Sequence, residues 1–283
     1  MTSKKAKVLE RDDVVVKFVG DSGDGMQLTG SLFSDSAALA GNDLATFPDF
    51  PAEIRAPQNT IAGVSGFQVH LGQRRIYTSG DLCDMLVAMN PASLKSNLKW
   101  AKPGATIVVD SSAFDEKSVG KAGYQFNPLE DGSLDAYQLI KAPITELTTQ
   151  ALSELGIDKR AAERTKNMFA FGITYYLFQR DLDKTLEFFK KKFADKPKII
   201  QANQTALRAG YNYAETIEAI HTKFHVGPAP MEKGLYRNIH GNIATAWGLL
   251  AAAERSGLEL FLGSYPITPA TEILMELSKH KSL

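Results

Sequence analysis

Hydrophobic and polar positions alternate in blocks that change period along the chain. Val14 to Val19 is a near-continuous apolar run, the pattern of a strand covered on both faces. A turn of glycines and aspartates follows, Gly20-Asp21-Ser22-Gly23-Asp24-Gly25. From Met26 to Ala40 the apolar residues fall near helical spacing, with Leu28, Leu32 and Leu39 on one side and Gly41 as the stop. Strand, glycine turn and helix together predict the opening of a doubly wound α/β domain. Pro48, Pro51 and Pro57 predict an extended loop over Leu44 to Asn59. Val64 to Leu71, Met85 to Ala88 and Thr106 to Val109 read as strands, and Pro91 to Trp100 as a helix opened by its proline. Gly104 is read as ending that helix and launching the next strand. Alternation of this kind predicts a mainly parallel sheet sandwiched by helices.

Helical periodicity then takes over, across Thr145 to about Leu155, Ala161 to Gln179 and Leu182 to Phe193. Pro197 is expected to break it, and Gln201 to Ile220 reads as a further helix interrupted near Gly210. Gly227, Pro228 and Pro230 open a stretch of little periodicity that reads as a linker. Beyond it, Asn242 to Ser256 is an Ala/Leu-rich helix, Leu258 to Leu262 a strand, Tyr265 to Pro269 a turn, and Glu272 to Lys279 another helix. The expected organisation is a domain over 1–225, a linker over 226–240 and a second α/β domain beginning at 241. About forty residues are too few to close such a core, so the second domain is expected to be truncated at Leu283.

Composition narrows the function classes. Lys+Arg and Asp+Glu are each 32, so neither a nucleic-acid nor a membrane-surface role is suggested. Lys4, Lys5 and Lys7 lack a following apolar region and read as a solvated tail. No apolar run approaches the ~20 residues that span a bilayer, so the chain is expected to be cytoplasmic. The single cysteine, Cys83, lies in an apolar run and reads as a buried, inert thiol. Alone it cannot hold a four-cysteine cluster.

The candidate chemistry is sparse. Gly20 to Gly25 has the order G-x-x-G-x-G, neither the dinucleotide-binding nor the Walker pattern. Two readings stay open: backbone N–H groups facing an anion, or a tight turn against a neighbouring subunit. Asp21 and Asp24 argue against a bare phosphate on the loop. Glu53 and Arg55 point to the same side of an extended backbone, either as a loop brace or with Arg55 as an anion clamp. Arg164, Lys166 and Asn167 open a helix; basic residues there oppose its dipole unless an acidic partner or anionic ligand is near. His221 and His225 stand four apart without other ligand types nearby, and Gly63-Val64-Ser65-Gly66 is not a hydrolase elbow. The most specific feature is Tyr265-Pro266-Ile267-Thr268-Pro269. With Pro269 at the first helical position, Thr268 reads as an N-cap, either plain or holding a small carboxylate.

Taken together, Val14 to Gly41, Glu53 to Pro57, Arg164 to Met168 and the Asn203 to Gly210 region resemble the γ domain of 2-oxoacid:ferredoxin oxidoreductases. Gly241 to Lys279, with its Tyr-Pro-Ile-Thr-Pro turn, resembles the start of that family's α, or thiamine pyrimidine-binding, domain. The γ-then-α order resembles the fused α subunit of the 2-oxoglutarate type. The resemblance implies oxidative decarboxylation of a 2-oxoacid with coenzyme A and ferredoxin, in a complex with a β subunit. That subunit is expected to carry thiamine diphosphate, its Mg²⁺ and an iron–sulfur cluster. Thr268 is implied to hold the oxoacid carboxylate. Gly20, Ser22, Gly23, Asp24, Gly25 and Arg55 are implied candidates for coenzyme A or for subunit packing. The family's glutamate that activates the thiamine pyrimidine lies downstream of the motif, past Leu283. This stretch alone is therefore expected to be inactive and to bind thiamine diphosphate weakly or not at all. The competing reading is a non-catalytic binding or assembly module; pyruvate and branched-chain 2-oxoacids are the competing substrates.

Overall fold

The computed structural model describes residues 6–50, 63–217 and 220–280. The chain divides into two compact units, Met1–Met231 and Glu232–Leu283. In the first, a six-stranded sheet is built from β2 (Asp13–Asp21), β3 (Asp43–Asp49), β4 (Val64–Gly72), β5 (Cys83–Ala88), β6 (Ala101–Asp110) and β7 (Gln138–Ala142). Their order is β3-β4-β2-β5-β6-β7. The three pairings from β2 through β5 and β6 to β7 are parallel; β4 pairs antiparallel with both β2 and β3. A short β1 (Lys7–Glu10) pairs in parallel with β8 (Thr222–His225) in a separate ribbon.

The apolar run of β2 serves two cores by strand alternation. Val14, Val16 and Phe18 face one side, against Leu32 and Phe33 of α1 (Met26–Leu39) and Phe169 of α6 (Lys166–Leu177). Val15 and Val19 face the other, with Leu94 of α2 (Pro91–Asn97) and Val119 of α3 (Glu116–Lys121). The remaining helices of the unit are α4 (Ile144–Ala151), α5 (Lys159–Glu163), α7 (Asp183–Lys192) and α8 (Pro197–Thr216).

Four expectations from the sequence are corrected in the first unit. Residues 43–49 form an edge strand rather than a loop; Pro48 is tolerated because one flank of an edge strand needs no ladder donor. Gly104 lies within β6, which already begins at Ala101, and takes φ 76. The helical pattern does break before Pro197, but the next helix starts at Pro197 itself rather than near Gln201, since the missing N–H is an unpaired donor position there. Gly210 does not interrupt that helix. A Cβ on Gly210 would stand 2.0 Å from the Phe169 carbonyl oxygen, and one on Gly172 would stand 2.2 Å from that of Leu207. The two glycines let the backbones of α6 and α8 touch.

In the second unit, α9 (Gly241–Ser256) and α10 (Thr271–Ser278) are joined by Trp247 Nε1 donating to Glu276 Oε1 at 3.0 Å. Asn242 Nδ2 donates to Glu272 Oε2 at 2.9 Å. The strand expected over Leu258 to Leu262 is irregular backbone here, and Phe261 is 91% exposed. Among the described residues that segment has no ladder partner, and a lone strand is not stable in water.

Gly210→Ala is expected to destabilise the first unit by about 2–3 kcal/mol, because backbone on both sides must move apart. Gly120→Ala, where an added methyl meets nothing within 4 Å, should instead be neutral or stabilise by up to about 1 kcal/mol. Urea unfolding followed by circular dichroism checks both; equal midpoints would contradict the close-packing explanation.

Candidate functional site

Adjacent parallel strands β2 and β5 send their helices to opposite faces of the sheet, α1 to one and α2 to the other. In open α/β sheets a crevice opens at the carboxyl ends of such a strand pair. The glycine turn sits on one lip. Gly23 and Gly25 have φ of 106 and 77, so the turn relies on residues without a Cβ. Asp24 Oδ2 accepts from the Asp21 N–H at 3.0 Å, closing the turn on itself. A Cβ on Gly20 would stand 2.9 Å from that carboxylate oxygen. Ser22 and Gly23 are exposed, and the Ser22 N–H donates to Gly63 O at 3.3 Å.

The turn is tied to the start of α6. Lys166 Nζ lies 3.0 Å from Asp24 Oδ1, and less than a fifth of either side chain is exposed. This is the acidic partner that basic residues at a helix start require. Asn167 Nδ2 donates to Gly25 O at 3.4 Å and to Thr29 Oγ1 at 3.5 Å. A Cβ at Gly25 would meet the same Nδ2 at 2.4 Å.

The other lip comes from β5 and β6. Asn90 caps α2 by accepting from the Ser93 N–H at 2.8 Å while its own N–H donates to Ser93 Oγ at 3.1 Å. Asp110, at the end of β6, is fully buried; its Oδ1 accepts from the N–H groups of Thr145 and Ser112, and its Oδ2 from the Thr145 hydroxyl. Burial raises the pKa of Asp110; the Thr145 bonds and the Lys166 charge oppose the rise. Asp21 is also raised, by burial first and by the neighbouring Asp24 charge, against an Asn90 hydrogen bond and Lys166. Its side chain keeps solvent contact, so its effect on stability is small. The carboxyl ends of these strands thus gather Asp21, Asp24 and Asp110 around the Lys166 ammonium. Such a surface favours hydrogen-bond donors over a closely seated diphosphate.

Five of the residues singled out in the sequence, Gly20, Ser22, Gly23, Asp24 and Gly25, come together here with Lys166 and Asn167. Glu53 and Arg55 lie outside the described residues. Thr268 belongs to the second unit, where it is exposed. Its expected N-cap role is corrected: residues 268–270 form a turn, Ala270 takes the N-cap position and no side chain caps α10. The first helical turn is closed by Thr271, whose N–H and hydroxyl both donate to Ile267 O. Sequence reading missed Asn90, Asp110 and Thr145. The Asn90-Pro91 pair carried a cap signal, whereas the local Ser112 bond of Asp110 gives no sign of its partner Thr145, 35 residues away. Cys83 is buried as expected, and burial pushes its thiol up to about 12.

Sheet order defines a doubly wound α/β domain with an antiparallel edge. Residues 15–213 match the model of the pyruvate ferredoxin/flavodoxin oxidoreductase family, and the chain belongs to that family. It is 49% identical over 271 residues to the 2-oxoglutarate oxidoreductase subunit KorA of Mycobacterium tuberculosis, covering 96% of this chain and 42% of that one. It is 22% identical over 282 residues to the 2-oxoacid:ferredoxin oxidoreductase α subunit of a Sulfolobus species, covering 93% and 42%. The 2-oxoglutarate:ferredoxin oxidoreductase of Magnetococcus marinus, solved with 2-oxoglutarate, coenzyme A and succinyl-CoA bound, superposes with a TM-score of 0.71 at 26% identity. That match covers 95% of this chain and 41% of that chain. The keto/oxoacid ferredoxin oxidoreductase γ subunit of Geobacter sulfurreducens shares the fold, with a TM-score of 0.50 at 19% identity, over 72% of this chain and 99% of that one. The chain therefore spans less than half the length of the relatives it matches along most of its own. Among the described residues no helix is long and apolar enough to cross a membrane.

An Asp110→Asn variant isolates the buried carboxyl. Unfolded, Asp110 ionises near pH 4; folded, its pKa is higher. Its stabilising contribution is therefore complete below about pH 4 and is lost as pH rises through the folded value. Asparagine keeps the Oδ1 acceptor and never ionises. Urea midpoints between about pH 4 and 8 should fall with pH in the wild type relative to the variant; a pH-independent difference would contradict the assignment.

Proposed function

We propose that this chain is the N-terminal part of the α subunit of a coenzyme A-dependent 2-oxoacid:ferredoxin oxidoreductase, with 2-oxoglutarate as the substrate. The products are succinyl-CoA, carbon dioxide and reduced ferredoxin. The observation that carries this reading is the 49% identity to a 2-oxoglutarate oxidoreductase subunit along 96% of the chain. In this reading residues 1–225 are the γ domain, 226–240 a linker and 241–283 the start of the thiamine pyrimidine-binding domain. The partners are a β subunit and ferredoxin, and the complex is cytoplasmic.

The residues present bear on how the work is divided. Cys83 is the one cysteine of the chain, and a buried thiol with so high a pKa is a poor ligand. The iron–sulfur cluster is assigned to the β subunit, together with thiamine diphosphate and its Mg²⁺, as the family resemblance implies. Thiamine diphosphate supplies the carbanion chemistry when bound. Thr268 is assigned to the oxoacid carboxylate; its exposed hydroxyl is free to donate to it. Gly20, Ser22, Gly23, Asp24 and Gly25, with Arg55, are assigned to coenzyme A or to the subunit interface. At the turn, amide and hydroxyl groups of coenzyme A suit the carboxylates better than its phosphates do. The relatives favour the enzyme subunit over a non-catalytic assembly module.

The test is the full-length subunit paired with its β partner, assayed by viologen reduction with 2-oxoglutarate, pyruvate and a branched-chain 2-oxoacid. 2-Oxoglutarate should give the highest kcat/KM. Thr268→Ala should lower that value ~10–100-fold, the worth of one charge-assisted hydrogen bond, with the KM for coenzyme A unchanged. Faster turnover of pyruvate, or no effect at Thr268, would refute the corresponding assignment.

A further inference from the structure

The far end of α1 holds a second cavity. Helix α1 is 14 residues long, so its last turn stands about 20 Å from the glycine turn. There a cavity of about 300 Å³ opens against the corner between α6 and α7. Leu32, Leu39 and Ala40 supply apolar wall, and Tyr175, Arg180 and Thr185 supply the polar groups. The Tyr175 hydroxyl and Thr185 Oγ1 satisfy each other at 2.6 Å.

Arg180 is not satisfied in this way. Gln179, at φ 51, turns the chain out of α6, and the Arg180 N–H donates back to Tyr175 O at 2.9 Å. Its guanidinium, carried into a partly buried position, donates from Nη2 to Asn42 Oδ1. Asn42 is itself buried and fixed, with Nδ2 donating to Val226 O and Gly227 O. Among the described residues the buried Nε of Arg180 has no hydrogen-bond partner. A guanidinium has five N–H donors and a full charge, and among the described residues its side chain meets one acceptor, the neutral Asn42. Burial accordingly pushes its pKa down. A desolvated cation without an anion is costly, and native structures rarely leave one so.

We propose that this cavity binds a short aliphatic monocarboxylate, with the carboxylate on Arg180 and the alkyl chain against Leu32, Leu39 and Ala40. The carboxylate supplies the charge and the acceptors that Asn42 does not. Charge also sets the class of ligand. Asp181 stands exposed at the opening, and its Oδ1 accepts from the Asp183 N–H rather than from Arg180. A carboxylate at the mouth repels a second negative charge, so dicarboxylates are selected against. The site takes a chain of roughly four to six carbons, within the lower range of ligand cavities.

The probe is sodium hexanoate, titrated into the ¹⁵N-labelled 283-residue chain while the Arg180 Nε–H resonance and the amides of 32–40 and 175–185 are followed. A saturable shift with a Kd of roughly 0.1–1 mM is expected. Hexan-1-ol and glutarate should bind at least ~10-fold more weakly, since each lacks one term of the recognition. Arg180→Gln should lose at least ~10-fold in affinity, with thermal unfolding reporting that the variant is folded. Should that variant not fold, Leu39→Glu, at a position 61% exposed, adds a further negative charge at the mouth and should weaken hexanoate comparably. No saturable shift by about 10 mM would overturn the proposal. So would hexan-1-ol binding as well as hexanoate, or unchanged hexanoate affinity in a folded variant.

Discussion

The site at the sheet's switch point depends on one ion pair, Asp24 with Lys166, set 142 positions apart in the chain and 3.0 Å apart in space. A glycine-rich turn has little reason to hold one shape; its residues lose more backbone freedom on ordering than any others. Asp24 answers this twice, with one oxygen on the Asp21 N–H and the other on the Lys166 ammonium. Lys166 in turn occupies the first residue of a helix, where the dipole opposes it. Each member corrects the unfavourable position of the other, and Asn167 adds two hydrogen bonds at the same junction.

Where Lys166 stands is decided by packing further along α6. Gly172 and Gly210 bring the backbones of α6 and α8 into contact, and the apolar face of α6 carries Met168, Phe169, Phe171 and Ile173 into the larger core. That core is shared with Val14, Val16 and Phe18 of the strand leading into the turn. The same hydrophobic face therefore seats both ends of the ion pair. The charges at the crevice are close-set because rigid elements deliver them there, a more precise support than a loop would provide.

What was legible in the sequence was local. β2, the glycine turn and α1 could be read because a covered strand, a Gly-stop and helical spacing all lie within thirty residues. The need of Lys166 for an acidic partner could be read as well, since it follows from the dipole alone; that the partner is Asp24 could not. Asp110 gave no signal because its environment is assembled from β6 and α4. Propensity misled at Pro48 and Gly210, where an edge position and a helix contact overrode it. At Thr268 the Pro269 pattern suggested a cap one turn before the helix begins, at Thr271.

Asp24 lies within the stretch, residues 15–213, that matches the family model, and so does Lys166. The central physical claim is that the Asp24–Lys166 pair couples turn and helix. A double-mutant cycle with Asp24→Asn and Lys166→Met, read from urea unfolding, measures it directly. The account predicts a coupling of about 1–2 kcal/mol, with the double variant more stable than the sum of the single losses implies. Additive losses, with no coupling, would contradict it.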